Sequence, residues 1–593
     1  MKNGQKWFLT RRKFIIYTAT TGSALAIGSG ASRHLSSQIK RLLAPGPDFS
    51  KIKIRWTEPN SKLGHQTWQD KPVPPEPDQS NSAEHAKFFD VAIIGGGISG
   101  LAAARALSRE TFGEDSHARQ VRVALFELES ELGGNSRSGS HPSTRYPLGA
   151  HYLPILNEKT CVHTRQFLKE EGLLVENPGE PPSYDETALC SEPFERLFLF
   201  GKWQDGLVPN FGISLQEKQE ITRFFELIKN LRVKKGTDGR FAFDLPACES
   251  SLDEEFTRLD KITMAEYLSA EKFSSNALIW YLNYCYRDDF GAGVEEISAW
   301  AGFHYFCSRR GVAKNAESHS VLTWPEGNAN LVYRIRQQLT RTTQMNAVVT
   351  QVRFDEFKKV FKIQSTSAQT QSIEHIEAKH IIWAAPAHVA RHVLEPRFLK
   401  HPIFQPGQIK HFPWVTANIV IKDLDPATAN SLTWDNVGYQ SPVLGYIVAN
   451  HQLAQQTHSH HVFTFYRPID EADPAVTRTQ MKDLATFKRQ LELEVFSEAE
   501  RLHPGLSSKM VEAHFHFWPH AMICPTIGIQ NMARALGGRV HTIGHGEKMA
   551  GSISWAHADF SGISLFEEGF EWGSQLGTQL SKVIKKSVGV SNV

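Results

Sequence analysis

Three glycines at fixed spacing carry the most pointed chemistry in this chain. In FDVAIIGGGISGLAAARAL, residues 89–107, Gly95, Gly97 and Gly100 stand in GxGxxG spacing between a short apolar run and an Ala/Leu-rich helical pattern. That arrangement suits the pyrophosphate of a dinucleotide. The first glycine permits a tight turn, the second lets backbone approach the phosphates, and the third lets helix pack on strand. The helix that opens around Ser99 would turn its free N–H groups and positive dipole end toward the same anion. GxGxxG by itself is a weak signal, but here a strand precedes it, a helix follows it and an acid comes further on. The acid is Glu127, the last residue of VRVALFE (121–127). A carboxylate there accepts hydrogen bonds from both ribose hydroxyls of an adenosine and repels a 2′-phosphate. Its plainer alternative is a surface acid at a strand end. The polar stretch TFGEDSHARQ (111–120) lengthens the spacing and reads as a loop insertion.

The elements around this unit follow from periodicity. Residues 36–85 are polar and proline-rich (KPVPPEPDQSNSAEH) and read as a linker or surface arm. Residues 154–320 are mainly helical in pattern. SLQEKQEITRFFELIKNL opens with a capping box, Ser214 and Glu217, and puts Ile221, Phe224, Ile228 and Leu231 on one face. Thr263 and Glu266 open another such helix at TMAEYL. Between 393 and 525 come strand-like runs, WVTANIVIKD, GYIVANH, HHVFTFYRP and MVEAHFHFWPH, with one helix at 483–499. No fixed-period repeat is visible.

Further glycine segments carry a family resemblance. ELGGNSRSG (131–139) follows Glu127, and PLGAHYLP (147–154) follows that. In these segments the chain resembles the FAD-dependent amine oxidase superfamily, which also holds protoporphyrinogen oxidase and the phytoene-type desaturases. The family places a second glycine pair after the ribose acid, usually Gly-Gly-Arg, to line the flavin dinucleotide. Here Gly133 and Gly134 are followed by Asn135, and Arg137 is the candidate replacement. Gly149, Ala150 and His151 resemble the stretch that runs beside the isoalloxazine ring. WPEGNANLVYRIRQQL (324–339) resembles the family's proline-glycine turn and helix. NAVVTQVRF (346–354) and IEAKHIIWAAP (376–386) resemble strands that rebuild the nucleotide domain, with Val349 set against adenine. GRVHTIGHGEKM (538–549) and SGISLFEEGFEWGSQLGTQL (561–580) resemble the C-terminal flavin signature. There Gly544 ends a strand, and a second helix N-terminus, with Gly569, faces the pyrimidine end of the flavin. A helix dipole aimed at that end stabilises the reduced anionic ring. His545 stands where the family usually has an acid, and it could donate a comparable bond to the ribityl chain.

The resemblance implies an α/β Rossmann-like FAD-binding domain, discontinuous in sequence, plus an α+β substrate domain with a mixed sheet and helices. The FAD-binding parts would be 86–153, 321–392 and 526–593. The substrate domain would be a helical part, 154–320, and a sheet part, 393–525. It also implies hydride transfer from a substrate C–H bond to flavin N5, with an amine as first choice. Two other readings stay open: a desaturase or dehydrogenase of isoprenoid or carotenoid type, and a flavoprotein without turnover that serves as an assembly or electron-transfer partner in the cell envelope. A plain NAD-binding protein fits worst, since it leaves the C-terminal helix unexplained. An acidic, aromatic-walled pocket would favour amines over isoprenoids.

Catalytic candidates follow from the same resemblance. His151 comes first, because it continues the element beside the ring, and Tyr152 is the next, as an aromatic wall. His520, in FWPHAMICP, matches a family segment that reaches the substrate pocket, where Trp518 would also pack. The chain has 26 histidines, so position near a motif is weak support. His514, His516 and Trp518 alternate on one strand face and read as solvated. With no acid or cysteine at fitting spacing, His514, His516 and His520 are not assigned to a metal, and no metal is expected. Lys410 and Lys422 are the candidates for the lysine that in several amine oxidases bridges to N5 through water. YCYRDDFGAGVEEISAWAGFHYF (284–306) reads as a capped core helix whose acids, Asp288 and Asp289, are left without a role.

Composition bounds the rest. The chain has 593 residues, 41% hydrophobic, enough for two cored domains, and a formal charge of +2 gives no case for nucleic acid. Six unpaired-looking cysteines fit small buried hydrophobes. TRRKFI (10–15) before the apolar run IIYTATTGSALAIG (15–28) resembles a twin-arginine export signal, with Arg11 and Arg12 as the pair, so residues 1–35 are set apart from the fold. That implies the twin-arginine machinery as a partner, membrane contact only through the signal, and a periplasmic or cell-envelope location. The other expected partner is a small-molecule substrate; oligomeric state stays open.

Overall fold

Near-continuous apolar runs become the inner strands of a six-stranded sheet. A computed structural model describes residues 47–60, 63–64, 86–109, 111–112, 119–339, 342–453, 459–480, 484–535 and 553–589. The expected export segment, most of the linker, Gly544 and His545 lie outside the described residues. The sheet runs Val360–Ser367, Thr342–Asp355, Val123–Glu127, Lys87–Ile94, Ile373–Trp383, Ile553–Trp555. Pairings from Thr342–Asp355 through Ile553–Trp555 are parallel. Val360–Ser367 is antiparallel to both Thr342–Asp355 and Ile373–Trp383. Strands covered on both faces should be apolar throughout, and Val91–Ile94 and Val123–Phe126 are all buried. The buried exception, Asp90, accepts from the Arg122 N–H at 2.9 Å.

Helices Ile98–Ser108 and Phe566–Gly589 pack together on one face, in a core with Leu101, Leu107, Phe570 and Leu576. Trp383, Trp555, Phe361 and Phe404 fill the opposite face. The glycine turn lies where strand Lys87–Ile94 meets helix Ile98–Ser108. Gly95 has φ +112°, and a Cβ there would strike the Ala384 carbonyl. A Cβ on Gly100 would occupy the Gly95 carbonyl oxygen.

The second sheet has eight strands: Lys53–Thr57, Met510–Cys524, Lys410–Lys422, His460–Pro468, Gly445–Val448, Asp435–Gly438, Glu195–Leu199, Lys202–Asp205. It is mixed, being parallel at Lys53–Thr57 with Met510–Cys524 and at Glu195–Leu199 with Asp435–Gly438. Both capping boxes form, at Ser214 with Glu217 and at Thr263 with Glu266. Ile221, Phe224 and Ile228 are buried in the helical core.

Four sequence expectations need correction. Residues 53–57, within the stretch read as linker, form an edge strand because Trp56 stacks on Phe515 at 4.7 Å. The helical part contributes a hairpin, Glu195–Leu199 with Lys202–Asp205, to the eight-stranded sheet. The 284–306 stretch is two helices, Asn276–Phe290 and Ala299–Cys307, separated at Gly291, a left-handed cap at φ +73°. His514, His516 and Trp518 are buried at 7%, 2% and 7% exposure: Arg55 and Thr57 of the edge strand cap the two histidines, and Trp518 lies against Arg137 and the Leu148 carbonyl. There Thr57 Oγ1 bonds His514 Nε2 at 2.6 Å and His516 Nδ1 at 2.7 Å.

All six cysteines are free, and four of them are buried. No helix among the described residues is long and apolar enough to cross a membrane.

The C-terminal helix approaches Ile98–Ser108 through glycines. A Cβ on Gly573 would fall on the Ser99 carbonyl and 3.0 Å from Ala102 Cβ; one on Gly577 would lie 2.7 Å from the Ala103 carbonyl oxygen. Gly573→Val should therefore destabilise the protein by about 1–3 kcal/mol, the usual cost of overpacking, or more if the helices separate. Denaturant unfolding checks this, and an unchanged midpoint would contradict the packing.

Candidate active site

One cavity of about 460 Å³ collects most of the residues that sequence reading singled out. Gly95, Gly97 and Ser99 line it from the glycine turn, and Glu127 lines it from the neighbouring strand end. Gly133, Gly134, Asn135, Gly149, Val349 and Gly569 line it as well. Gly100 does not; it sits beneath the turn and serves helix–strand packing. Glu127 Oε2 accepts from the Gly96 N–H and Oε1 from the Glu129 N–H, each at 2.9 Å. Burial pushes its carboxyl up, against the pull of these two N–H groups. Each oxygen keeps lone-pair capacity for a further donor.

The cradle fits a dinucleotide. A Cβ at Gly97 would meet nothing within 4 Å, so the space over this helix N-terminus is open. The Phe566–Gly589 helix brings its N-terminus to the same wall through Leu565, Phe566 and Glu567. Asn135, in place of the family's arginine, donates from Nδ2 to the Ala521 carbonyl at 2.5 Å. Its own carbonyl accepts from the Ala150 N–H at 2.9 Å. Arg137 is off the cavity wall and pairs with Glu129 at 3.0 Å.

The backbone 148–152 is held at nearly every carbonyl. Leu148 accepts from Thr416 at 3.0 Å and from Trp518 Nε1 at 2.6 Å. Ala150 accepts from the Asn328 N–H at 3.1 Å, His151 from Thr323 at 2.8 Å, and Tyr152 from Asn328 Nδ2 at 2.9 Å. The proline-glycine turn places Asn328 there. This wall is therefore set before any ligand arrives, as an ordered site requires.

The family model for flavin-containing amine oxidoreductases matches residues 98–470. The chain belongs to that family. Its cofactor is FAD. Among solved structures, it is similar to putrescine oxidase bound to putrescine, at 15% identity, TM-score 0.57, covering 83% of this chain and 99% of that one. It is also similar to cyclohexylamine oxidase from Brevibacterium oxydans, at 15% identity, TM-score 0.56, covering 84% and 99%. At such identity these likenesses speak to the fold. No curated protein matches the chain.

Beyond the cradle, the cavity of this flavoprotein runs to an aromatic and acidic end. His151 stacks on Tyr466 at 4.5 Å and lies 5.2 Å from Tyr152 and 5.7 Å from Trp434. Burial among these rings lowers the His151 pKa to about 4, so its imidazole is neutral at pH 7. Tyr152 donates to Asp289 Oδ1 at 3.0 Å, and Asp289 pairs with Arg309 at 2.7 Å. Asp288 lines the same end, and its carboxyl is pushed well up by burial, then by Asp289 and Asp435. The Tyr466 hydroxyl is buried without a partner among the described residues.

His520 also lines the cavity, beside His388 and His411. Lys410 pairs with Glu296 and Asp473, and neither Lys410 nor Lys422 lines the cavity. Sequence reading missed Arg309, Tyr466, Trp414, His388 and His411 as lining residues. Only His388 left a signal, since it follows a parallel strand's C-terminal end, where α/β sheets bind ligands.

Burial, then the nearby Glu195, pushes Asp435 up to about 7. An unfolded carboxyl loses its proton near pH 4. Between those values the folded chain keeps a proton the unfolded chain has lost, so this group makes stability fall as pH rises. Asp435→Asn cannot titrate. The stability of that variant relative to wild type should rise from pH 4 to 7 and level off above, as measured by urea unfolding across pH. A pH-independent difference would contradict the assignment.

Proposed function

We propose that this flavoprotein oxidises a small amine at the carbon bearing nitrogen. Asp288 carries the reading: a carboxyl on the cavity wall, costly to ionise alone, at an end walled by Tyr152, Tyr466 and Trp414. A substrate ammonium would offset that cost, and the aromatic faces would attract the same cation. Bound FAD supplies the acceptor for the hydride leaving the substrate carbon.

The remaining work belongs to the chain. An amine gives up hydride only after its nitrogen has lost the extra proton. Asp288 would hold the ammonium and take that proton on a carboxylate oxygen, which its raised pKa favours. His151, neutral and stacked on Tyr466, would form a flat, uncharged side of the pocket. Tyr152 would be a fixed wall, its hydroxyl committed to Asp289. Gly95, Gly97, Ser99, Glu127, Gly133, Gly134, Asn135, Gly149, Val349 and Gly569 would hold the cofactor. The Asp288 carboxyl and the Arg309 guanidinium on the cavity wall speak against an isoprenoid-like substrate. A flavoprotein without turnover would have no use for space that joins the cradle to an acidic end.

Anaerobic titration of the FAD-loaded protein with monoamines, diamines and amino acids tests the reading. At least one amine should bleach the flavin absorbance. Asp288→Asn should lower kcat/KM for that amine about tenfold to a hundredfold, the scale of one charged hydrogen bond. If no amine bleaches the flavin, or the substitution leaves kcat/KM unchanged, the reading fails.

A further inference from the structure

Three histidines from distant parts of the chain meet on the wall of the cavity. His388 is the second residue of the short helix Ala387–Val393 that follows strand Ile373–Trp383. His411 lies on strand Lys410–Lys422, and His520 on strand Met510–Cys524. Those two strands pair Phe412 with Met522 and Trp414 with Trp518, so Pro519, His520 and Ala521 all face the single residue Pro413. Such a bulge re-aims side chains beside a site. Ring centroids of His388 lie 4.7 Å from His520 and 5.1 Å from His411.

We propose that His388, His411 and His520 bind a divalent transition-metal ion, with one coordination position open to the cavity. One ring nitrogen from each lies within 4.8 Å of the others. Tetrahedral nitrogens around zinc stand about 3.4 Å apart, so ring tilts of about an ångström complete the set. His388 Nδ1 is buried with no partner among the described residues, a cost that a bound ion would remove. Asp559 orients His411, its Oδ1 accepting from Nε2 at 2.8 Å, and its Oδ2 accepts at 2.7 Å from the N–H of Ala387, the residue before His388. A carboxylate behind an imidazole is the usual device that orients a metal-bound histidine. Three imidazoles without oxygen ligands select zinc, copper, nickel or iron over calcium and magnesium. All three rings line the FAD cavity, so the ion would sit at its edge. The site stands on geometry separate from Asp288 and does not depend on the amine reading.

Zinc titration of the FAD-loaded full chain, read by calorimetry and elemental analysis, tests the proposal. One zinc per chain is expected. His388→Ala and His520→Ala should each weaken binding at least tenfold, while His375→Ala, at an exposed strand position, should not. Copper loaded into the wild-type holoprotein provides a readout free of folding effects, because its electron paramagnetic resonance spectrum should carry nitrogen splitting from three imidazoles. Absence of stoichiometric zinc, binding indifferent to both substitutions, or a copper spectrum without imidazole nitrogen would overturn the site.

Discussion

The structure depends on how closely two helices can approach. Ile98–Ser108 carries the glycine turn, and Phe566–Gly589 comes from the far end of the chain. Gly569, Gly573 and Gly577 stand one turn apart and meet Ser99, Ala102 and Ala103 of the first helix. Small residues on both sides bring the backbones together, so two helix N-termini open on one cavity. Each N-terminus offers unpaired N–H groups and partial positive charge. An anionic dinucleotide spanning that cavity therefore meets donors that need no rearrangement.

From this contact outward the site divides by charge. The cradle end is built of backbone and glycine, with Glu127 as its acid. The far end is built of side chains whose ionisation burial opposes, chiefly Asp288, with Arg309 held by Asp289. The chain fixes that division through the eight-stranded sheet, which supplies Trp414, Tyr466, Trp518 and His520 from adjacent strands. Leu148 ties the two ends together, because its carbonyl is gripped by Thr416 and Trp518 from that sheet. Two rigid layers thus face each other across one space, and catalysis by positioning requires such an arrangement.

Glycine spacing makes the cradle legible in the amino-acid sequence, because Gly95, Gly100 and Gly149 answer backbone demands that only glycine meets and Gly97 leaves the space above the helix N-terminus open. Gly95 turns with positive φ, Gly100 sits against a carbonyl, and Gly149 abuts Asn135. Capping boxes at Ser214 and Thr263 are legible for the same local reason. The acidic end is not. Asp288, Arg309, Trp414 and Tyr466 come from separate elements, and no local rule joins them. The Lys53–Thr57 strand is hidden by its short length beside proline-rich sequence. That omission misplaces His514 and His516, because alternation tells which residues share a face but not what covers it. The three-histidine cluster has the same character: its members meet only through a bulge and a sheet crossover.

Gly97 offers the most direct test of the cradle. Its φ of −71° suits any residue, and a Cβ there touches no protein atom within 4 Å. A leucine would therefore cost the fold little and would project into the space assigned to the cofactor pyrophosphate. Flavin stoichiometry and apoprotein melting temperature should be measured together for Gly97→Leu and wild type. One FAD per wild-type chain is expected, with a variant that melts like the wild-type apoprotein yet holds no FAD. A Gly97→Leu protein that keeps its flavin at full occupancy would contradict the cradle.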